Sequence, residues 1–270
     1  MSKVKPLLPG PVAAARRVLR ECDVRHPRDI RIEAIATRYN AMIVYGPLAT
    51  ASGSIVRTRN HAVIWVDERA RGTPRGNFTG GHELAHHLLH DVVDHFAQCE
   101  EAGPRPPKGS NEARRAREAA SRARAVEQEA NHFTAELSMP EEWAAPLCTM
   151  ARPELDDVHR LARTFRTSFR ASAIRFVELT QAPCALVHTV GGKIKRSTET
   201  ASFPGRIVQR WEVHSRSVAA GLEDRAARGV EERREVPGAV WGDEAGPGFV
   251  EHAVALGPGL GVLSWVVPPG

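Results

Sequence analysis

The sequence predicts an α+β protein, because segments with the periodicity of strands are followed by segments with the periodicity of helices along its 270 residues. Short apolar runs at 41–45, 52–57 and 61–67 have the length and composition of strands, and the last two suit a hairpin. An apolar stretch at 78–90 and a long Ala/Arg/Glu-rich stretch at 111–137 favour helices. A small mixed or antiparallel sheet beside helices is therefore expected in the N-terminal part.

Four regions are expected along the chain, since its length suits two domains or one domain with an appendage. Residues 1–11 are interpreted as a flexible tail, and residues 12–150 as the first domain. Residues 151–182 form a helix-turn-helix-like segment, in which apolar residues at helical spacing flank a polar turn. Residues 183–270 are predicted to be a small α/β domain, either a sensor or a cap, with a helix at 207–222 and strands elsewhere.

The charge is concentrated in one part of the sequence. Seven basic and two acidic residues lie between Arg105 and Arg124, which accounts for the whole net charge of +5. The rest of the chain is close to neutral, and this argues against a general nucleic-acid-binding surface. An insertion at about 99–112 is rich in Pro, Gly and basic residues and is predicted to be mobile.

The cysteines and the hydropathy pattern indicate a cytoplasmic protein. The four cysteines, at positions 22, 99, 148 and 184, contain no C-x-x-C pair. They are therefore interpreted as reduced thiols, and neither a disulfide framework nor a thiolate zinc site is expected. No run approaches the roughly 20 apolar residues that a membrane-spanning helix requires, so no membrane association is predicted.

The stretch His82-Glu83-Leu84-Ala85-His86 has the pattern H-E-x-x-H. On a helix, two residues four positions apart lie on one face, with their Cβ atoms about 5–6 Å apart, so His82 and His86 can bind one metal ion. Glu83 lies roughly 100° further round, where it can hold a water molecule beside that ion. The alternative is a pair of ordinary histidines on a half-buried helix. It is less favoured, because burying unpaired polar groups is costly.

A third protein ligand must come from elsewhere, since a catalytic zinc ion is held by three protein ligands and a water molecule. The end of the long 111–137 helix is the expected donor. Its candidates are Glu127, Glu129, His132 and Glu136. Phe133 shares a face with Glu129 and would turn it toward the core, but the residues alone leave all four candidates open.

Two motifs in this order resemble the ImmA/IrrE metallopeptidases. The first is Phe78-Thr79-x-x-His82-Glu83-Leu84-x-His86-x-Leu88-Leu89-His90, and the second is Glu129-Ala130-Asn131-x-Phe133-x-Ala135-Glu136-Leu137-x-Met139-Pro140. The sequence departs from the expected family pattern at Gly81 and Ala85, and its spacing between the motifs is long. The resemblance spans roughly residues 12–179 and implies a zincin-like metallopeptidase domain of the gluzincin type.

The resemblance also implies the residues of the site and the partner. It assigns one divalent metal ion, with Zn²⁺ favoured, to His82, His86 and Glu129, and it makes Glu83 the general base. A peptide substrate would join an exposed sheet edge as an added strand, for which the 61–67 strand is the candidate.

Three functions follow from these observations. The preferred one is a zinc-dependent endopeptidase that cleaves a helix-turn-helix transcriptional repressor in a stress or mobile-element response, as the resemblance implies. The alternatives are non-catalytic, with a metal that is only structural. One is a regulator that binds DNA through residues 154–179, and the other is a protein that sequesters a repressor. DNA is the less favoured partner, because the charge outside residues 105–124 is neutral.

Overall fold

The computed structural model describes residues 10–48, 52–58, 60–90, 111–205, 207–223, 228–242, 246 and 248–270, with the side chains of 111–113 left out. The chain divides into two compact units, a first unit of residues 1–140 and a second unit of residues 141–270. Almost all of the predicted tail at 1–11 and of the predicted insertion at 99–112 lies outside the described residues. The predicted domain boundaries after residues 150 and 182 stay predictions.

The first unit combines helices with a small sheet, as the sequence predicts. Helix α3 begins where the Thr73 side chain accepts a hydrogen bond from Gly76 N, and Pro74 occupies the first turn, which needs no backbone donor. The elements are α1 (Pro11–Glu21), α2 (Ile32–Arg38), β1 (Ala41–Gly46), β2 (Gly53–Arg57), β3 (Ala62–Asp67), α3 (Pro74–Leu89) and α4 (Asn111–Ser138).

The three strands form a mixed sheet with the order β1-β3-β2. Strand β3 is parallel to β1 and antiparallel to β2, with Ile64 facing Ile43 on one side and Ile55 on the other. The prediction that the 61–67 strand is the open edge is therefore wrong. The expected β2–β3 hairpin uses one side of β3, and β1 uses the other. Within the described part of the chain, the edge strands of this sheet are β1 and β2.

Paired glycines let α3 pack closely against its neighbours. A Cβ atom at Gly80 would lie 2.9 Å from Ile43 Cδ1 on β1, and one at Gly81 would lie 3.0 Å from Thr134 Cγ2 on α4. Glycine lowers helix propensity by roughly 1 kcal/mol relative to alanine, but here it brings the helix close to both partners. The departure from the family pattern at Gly81 is thus explained by the close approach of α4.

The second unit contains a five-stranded antiparallel sheet with the order β5-β4-β8-β7-β6 and several short helices. Its elements are α5 (Glu141–Ala144), α6 (Leu155–Phe165), α7 (Phe169–Leu179), β4 (Ala185–Val190), β5 (Lys193–Glu199), α8 (Val218–Leu222), β6 (Glu231–Val236), α9 (Gly238–Trp241), β7 (Phe249–Ala255) and β8 (Val262–Val267). The mixed α+β composition of the chain is therefore confirmed.

The helix predicted at 207–222 is present only from Val218 to Leu222. Before it, the chain lies beside β5, where Arg210 N donates a hydrogen bond to Ile194 O and Ile194 N donates one to Trp211 O. These backbone groups are satisfied between segments and are not available for helical hydrogen bonds.

The helix-turn-helix-like segment consists of α6 and α7. Helix α6 ends at Arg166, whose φ of 53° is left-handed, and α7 begins where the Ser168 side chain accepts a hydrogen bond from Ala171 N. A left-handed residue is a common way to end a helix, although glycine usually fills this position. The predicted use of this segment in DNA binding stays a prediction.

A buried carboxylate holds the core of the second unit together. Glu251 is fully buried and accepts hydrogen bonds from the side chains of Ser217, Trp241 and Ser264 at 2.8–3.1 Å. It also accepts them from the backbone N–H groups of Val218 and Ala219, which open α8. A carboxylate at a helix N-terminus is stabilised by the unsatisfied N–H groups there. Glu251 therefore joins α8 and α9 to strands β7 and β8.

The described cysteines, Cys22, Cys148 and Cys184, carry free thiols, and Cys99 lies outside the described residues. Burial raises the pKa of Cys148 to about 11 and the pKa of Cys184 to about 12. Both side chains are therefore protonated near neutral pH and are poor nucleophiles. Of the helices that the structure describes, none combines the length and the hydropathy needed to cross a membrane.

Candidate metal centre

His82 and His86 lie one turn apart on α3, and the Nε2 atoms of their rings converge. Their Nε2 atoms are 3.1 Å apart, and their ring centroids are 4.7 Å apart. His86 is buried, and only a small part of the His82 side chain is exposed. The two imidazoles are thus held by one rigid element inside the first unit.

Glu127 brings a carboxylate to the two histidines from α4. Its Oε2 atom lies 3.1 Å from His82 Nε2, and its Oε1 atom lies 3.4 Å from His86 Nε2. The candidate ligand atoms of the three residues all fall within 4.8 Å of one another, and the described residues contain no second group of this kind.

The spacing of these atoms fits a zinc ion. Two bonds of about 2.0–2.1 Å at a tetrahedral angle place their ligand atoms roughly 3.3–3.4 Å apart. The three distances between His82 Nε2, His86 Nε2 and the Glu127 oxygens are 3.1–3.4 Å. Two imidazoles and one carboxylate are also a donor set that zinc accepts in catalytic sites. The residues present therefore fit the metal that the sequence predicts.

The structure does not bring Glu129, the predicted third ligand, to the histidine pair. Half of the Glu129 side chain is exposed, and its Oε2 atom lies 3.2 Å from Nε2 of a different residue, His90. On a helix, two positions correspond to a rotation of about 200°, so Glu127 and Glu129 cannot both reach the pair formed by His82 and His86.

A helical spacing in the sequence identifies the inward face of α4. Its buried or half-buried side chains recur every three or four positions. Between residues 114 and 134 they are Ala123, Val126, Glu127, Ala130, Phe133 and Thr134. Glu127 belongs to this row, three positions before Ala130, and Glu129 does not. The sequence argument used Phe133 to favour Glu129 and placed Glu127 on a more polar side, whereas the burial along α4 in the structure favours Glu127.

The other two candidates on α4 lie away from the histidine pair. Glu136 is buried and accepts a hydrogen bond at 2.7 Å from the Nε atom of Arg16 on α1. His132 is exposed on the outer side of the helix. Glu136 thus links α4 to α1.

Glu83 is buried between α3 and the edge strand β2. A Cβ atom at Gly53 of β2 would lie 3.3 Å from Glu83 Oε1 and 2.4 Å from Thr79 Cγ2. A side chain at this position would therefore collide with Thr79 and crowd the Glu83 carboxylate. Glu83 adjoins His82 in sequence but is not one of the three clustered residues. The predicted role of Glu83 as the general base stays a prediction.

Arg57, the last residue of β2, holds the C-terminal end of α3. Its Nη1 atom donates hydrogen bonds to the carbonyl oxygens of His86 and His90. The last carbonyl groups of a helix have no partner within the helix, and a cation there also interacts favourably with the helix dipole. Arg57 therefore fixes the edge strand against the end of the helix that carries the histidines.

Comparisons with known proteins identify the family of the chain. The model for peptidase family M78, the IrrE N-terminal-like domain, matches residues 36–177. A solved structure described as a Mycobacterium tuberculosis transcriptional regulator is similar, with a TM-score of 0.53 and 17% identity, covering 95% of this chain and 86% of that one. At this identity the likeness shows a shared fold. No match is found among curated proteins. The family match covers more than half of the chain, confirms the resemblance of its two motifs, and shows that the chain belongs to peptidase family M78.

Proposed function

We propose that the protein is a zinc-dependent endopeptidase, in which His82, His86 and Glu127 hold the ion and Glu83 is the general base. The observation that carries this proposal is the convergence of the three side chains at 3.1–3.4 Å, and the residue that follows His82 in the sequence, Glu83, is buried. When bound, zinc would supply a Lewis acid that activates water and polarises a carbonyl group.

The Glu83 carboxylate moves the proton in this proposal. One of its oxygens takes the proton of the attacking water, and the same group passes it to the nitrogen of the departing amine as the peptide bond breaks. The Glu83 carboxylate is buried and lies close to Gly53 of β2. A positioned base of this kind needs no large movement during the reaction.

Strand β2 is proposed to bind the peptide. It is an edge strand that pairs with β3, and its Gly53 lies next to Glu83. A peptide that adds to a sheet edge gains main-chain hydrogen bonds, whatever its side chains are. Such a peptide on β2 would run past the general base with its backbone extended, which suits cleavage within a chain.

Replacing Gly53 by alanine tests the position of β2. The added methyl group would meet Thr79 Cγ2 and press on Glu83 Oε1, so the carboxylate or the strand must shift. Displacements of about 1 Å in catalytic groups can cost roughly 100-fold in rate. We expect kcat/KM for a cleaved peptide to fall about 10- to 100-fold, with zinc content measured by elemental analysis unchanged.

Gly221→Ala is the matched control, because a Cβ atom at Gly221 has no neighbour within 4 Å and the residue belongs to the second unit. Parental activity in both variants would show that β2 does not constrain the general base.

The substrate is proposed to be a helix-turn-helix transcriptional repressor, cleaved in the cytoplasm during a stress or mobile-element response. The resemblance to the ImmA/IrrE metallopeptidases supports this proposal. A similar fold in a protein described as a transcriptional regulator is consistent with a role in gene control. The test is a proteome-wide search for a repressor that is cleaved in cells with the parental protein and stays intact in cells with Glu83→Gln. Cleavage in both strains would contradict the proposal.

A further inference from the structure

We propose that His90 and Glu129 are positioning residues, which form an outer chain of hydrogen bonds that fixes the tautomer and orientation of His86. This inference rests on the proposed metal centre. It concerns two residues that do not belong to the cluster of His82, His86 and Glu127.

The three groups lie in a row that leads away from the metal centre. His86 Nδ1 is 3.0 Å from His90 Nδ1, and His90 Nε2 is 3.2 Å from Glu129 Oε2. Both histidines are more than nine-tenths buried, whereas the carboxylate at the end of the row is half exposed. The row thus connects a buried ring to a charged group at the surface.

The place of His90 in the fold explains why its ring meets that of His86. It lies four positions after His86, so it continues the face of α3 that carries His82 and His86. As the residue that ends α3, it donates its backbone N–H to His86 O, while Arg57 donates to its carbonyl oxygen. The backbone of His90 is therefore held at both of its polar groups, which limits where its ring can lie.

The directions of the hydrogen bonds follow from counting protons. A neutral imidazole carries one N–H group, so a His86 ring that gives its Nε2 lone pair to a metal must carry the proton on Nδ1. That N–H donates to His90 Nδ1, which must then be the bare nitrogen. The proton of His90 is consequently on Nε2, where it donates to the Glu129 carboxylate.

An outer chain of this kind strengthens a metal site, because it raises the basicity of the ligand and orients its ring. Changes in such supporting groups typically cost roughly 10- to 100-fold in metal affinity. The support is one-sided here, since the described residues offer no hydrogen-bond partner to His82 Nδ1. The effect of the outer chain on metal affinity should therefore be transmitted through His86.

Three substitutions test the proposal through zinc affinity, measured by competition with a chelator of known affinity. His90→Leu removes the acceptor, and we expect affinity to fall about 10- to 100-fold. His90→Asn has nearly the same shape as leucine but keeps an oxygen close to the position of Nδ1, so it should recover most of the loss. Glu129→Gln should cost only a few-fold, because the Glu129 carboxylate is half exposed.

The decisive measurement combines two of these changes. If Glu129 acts through His90, Glu129→Gln should weaken binding in the parental protein and have no further effect in His90→Leu. The absorption spectrum of the Co²⁺-loaded protein should shift in His90→Leu and stay parental in His132→Leu, a control at an exposed histidine on α4.

The results separate this inference from the function on which it rests. A parental protein that binds no zinc would overturn the metal centre itself. Zinc binding by the parent with equal affinity in His90→Leu would overturn only the outer chain, as would equal losses in His90→Asn and His90→Leu. If His90→Leu does not fold, Glu129→Gln is measured in His90→Asn, and full parental affinity of Glu129→Gln alone overturns the role of Glu129.

Discussion

Replacing Glu127 by alanine should remove most of the zinc from the purified protein. Glu127 supplies the carboxylate that faces both His82 and His86, and no other acidic group joins them within the described residues. Because the loss of a supporting group already costs roughly 10- to 100-fold, we expect the loss of a direct ligand to lower affinity by more than about 100-fold. Elemental analysis and chelator competition measure the effect.

Glu129→Ala is the matched control for this prediction, because it removes the same group two positions further along the same helix. It should retain zinc with an affinity within about 10-fold of the parental value, since its carboxylate faces His90. The opposite pattern, with zinc lost in Glu129→Ala and kept in Glu127→Ala, would restore the ligand that the sequence resemblance implies. It would also mean that α4 turns a different face toward the histidine pair than it does in the structure.

Glu83→Gln should abolish peptide hydrolysis while the metal centre stays intact. The amide has nearly the same shape as the carboxylate but cannot accept a proton at neutral pH. A positioned general base contributes about 10²- to 10⁴-fold to a rate, and kcat should fall by that factor. Zinc content should remain parental, because Glu83 is not among the clustered ligands. A repressor peptide with a fluorescent reporter would measure the rate.

The same variant distinguishes cleavage from sequestration. A protein that acts only by binding a repressor would keep its effect on the repressed gene after Glu83→Gln, and a peptidase would lose it. A zinc-loaded Glu83→Gln protein that cleaves at the parental rate would show that another group accepts the proton.

Local signals in the sequence were enough to predict the helix that carries the histidines. The pattern His82-Glu83-x-x-His86 itself determines how the two histidines are placed, because residues four positions apart are neighbours on the surface of any helix. Leu84, Ala85 and the apolar flanks show which face is buried. The order of three strands before this helix was also predictable, since each strand is a short run with the length and composition typical of a sheet.

Relations between distant segments were harder to predict. The choice between Glu127 and Glu129 as the third ligand depends on how α4 is rotated against α3, and the residues of α4 alone do not determine that rotation. The position of β3 between β1 and β2 depends on a parallel pairing that no local pattern records. The segment before Val218 has apolar residues that suit a helix, yet its backbone pairs with β5. Tertiary hydrogen bonds overrode local preference there.

The division of the chain into two units has a thermodynamic consequence. Every residue of the proposed metal centre belongs to the first unit, and each unit has its own hydrophobic core. A ligand that binds only the folded state adds about 2.7 kcal/mol to the free energy of unfolding when its free concentration is 100 times its Kd. The first unit would gain this amount from zinc, whereas the second unit contains no residue of the site. With zinc bound at the proposed centre, the stability of the first unit would depend on the metal supply, and the second unit would depend on it less because it holds none of the proposed ligands.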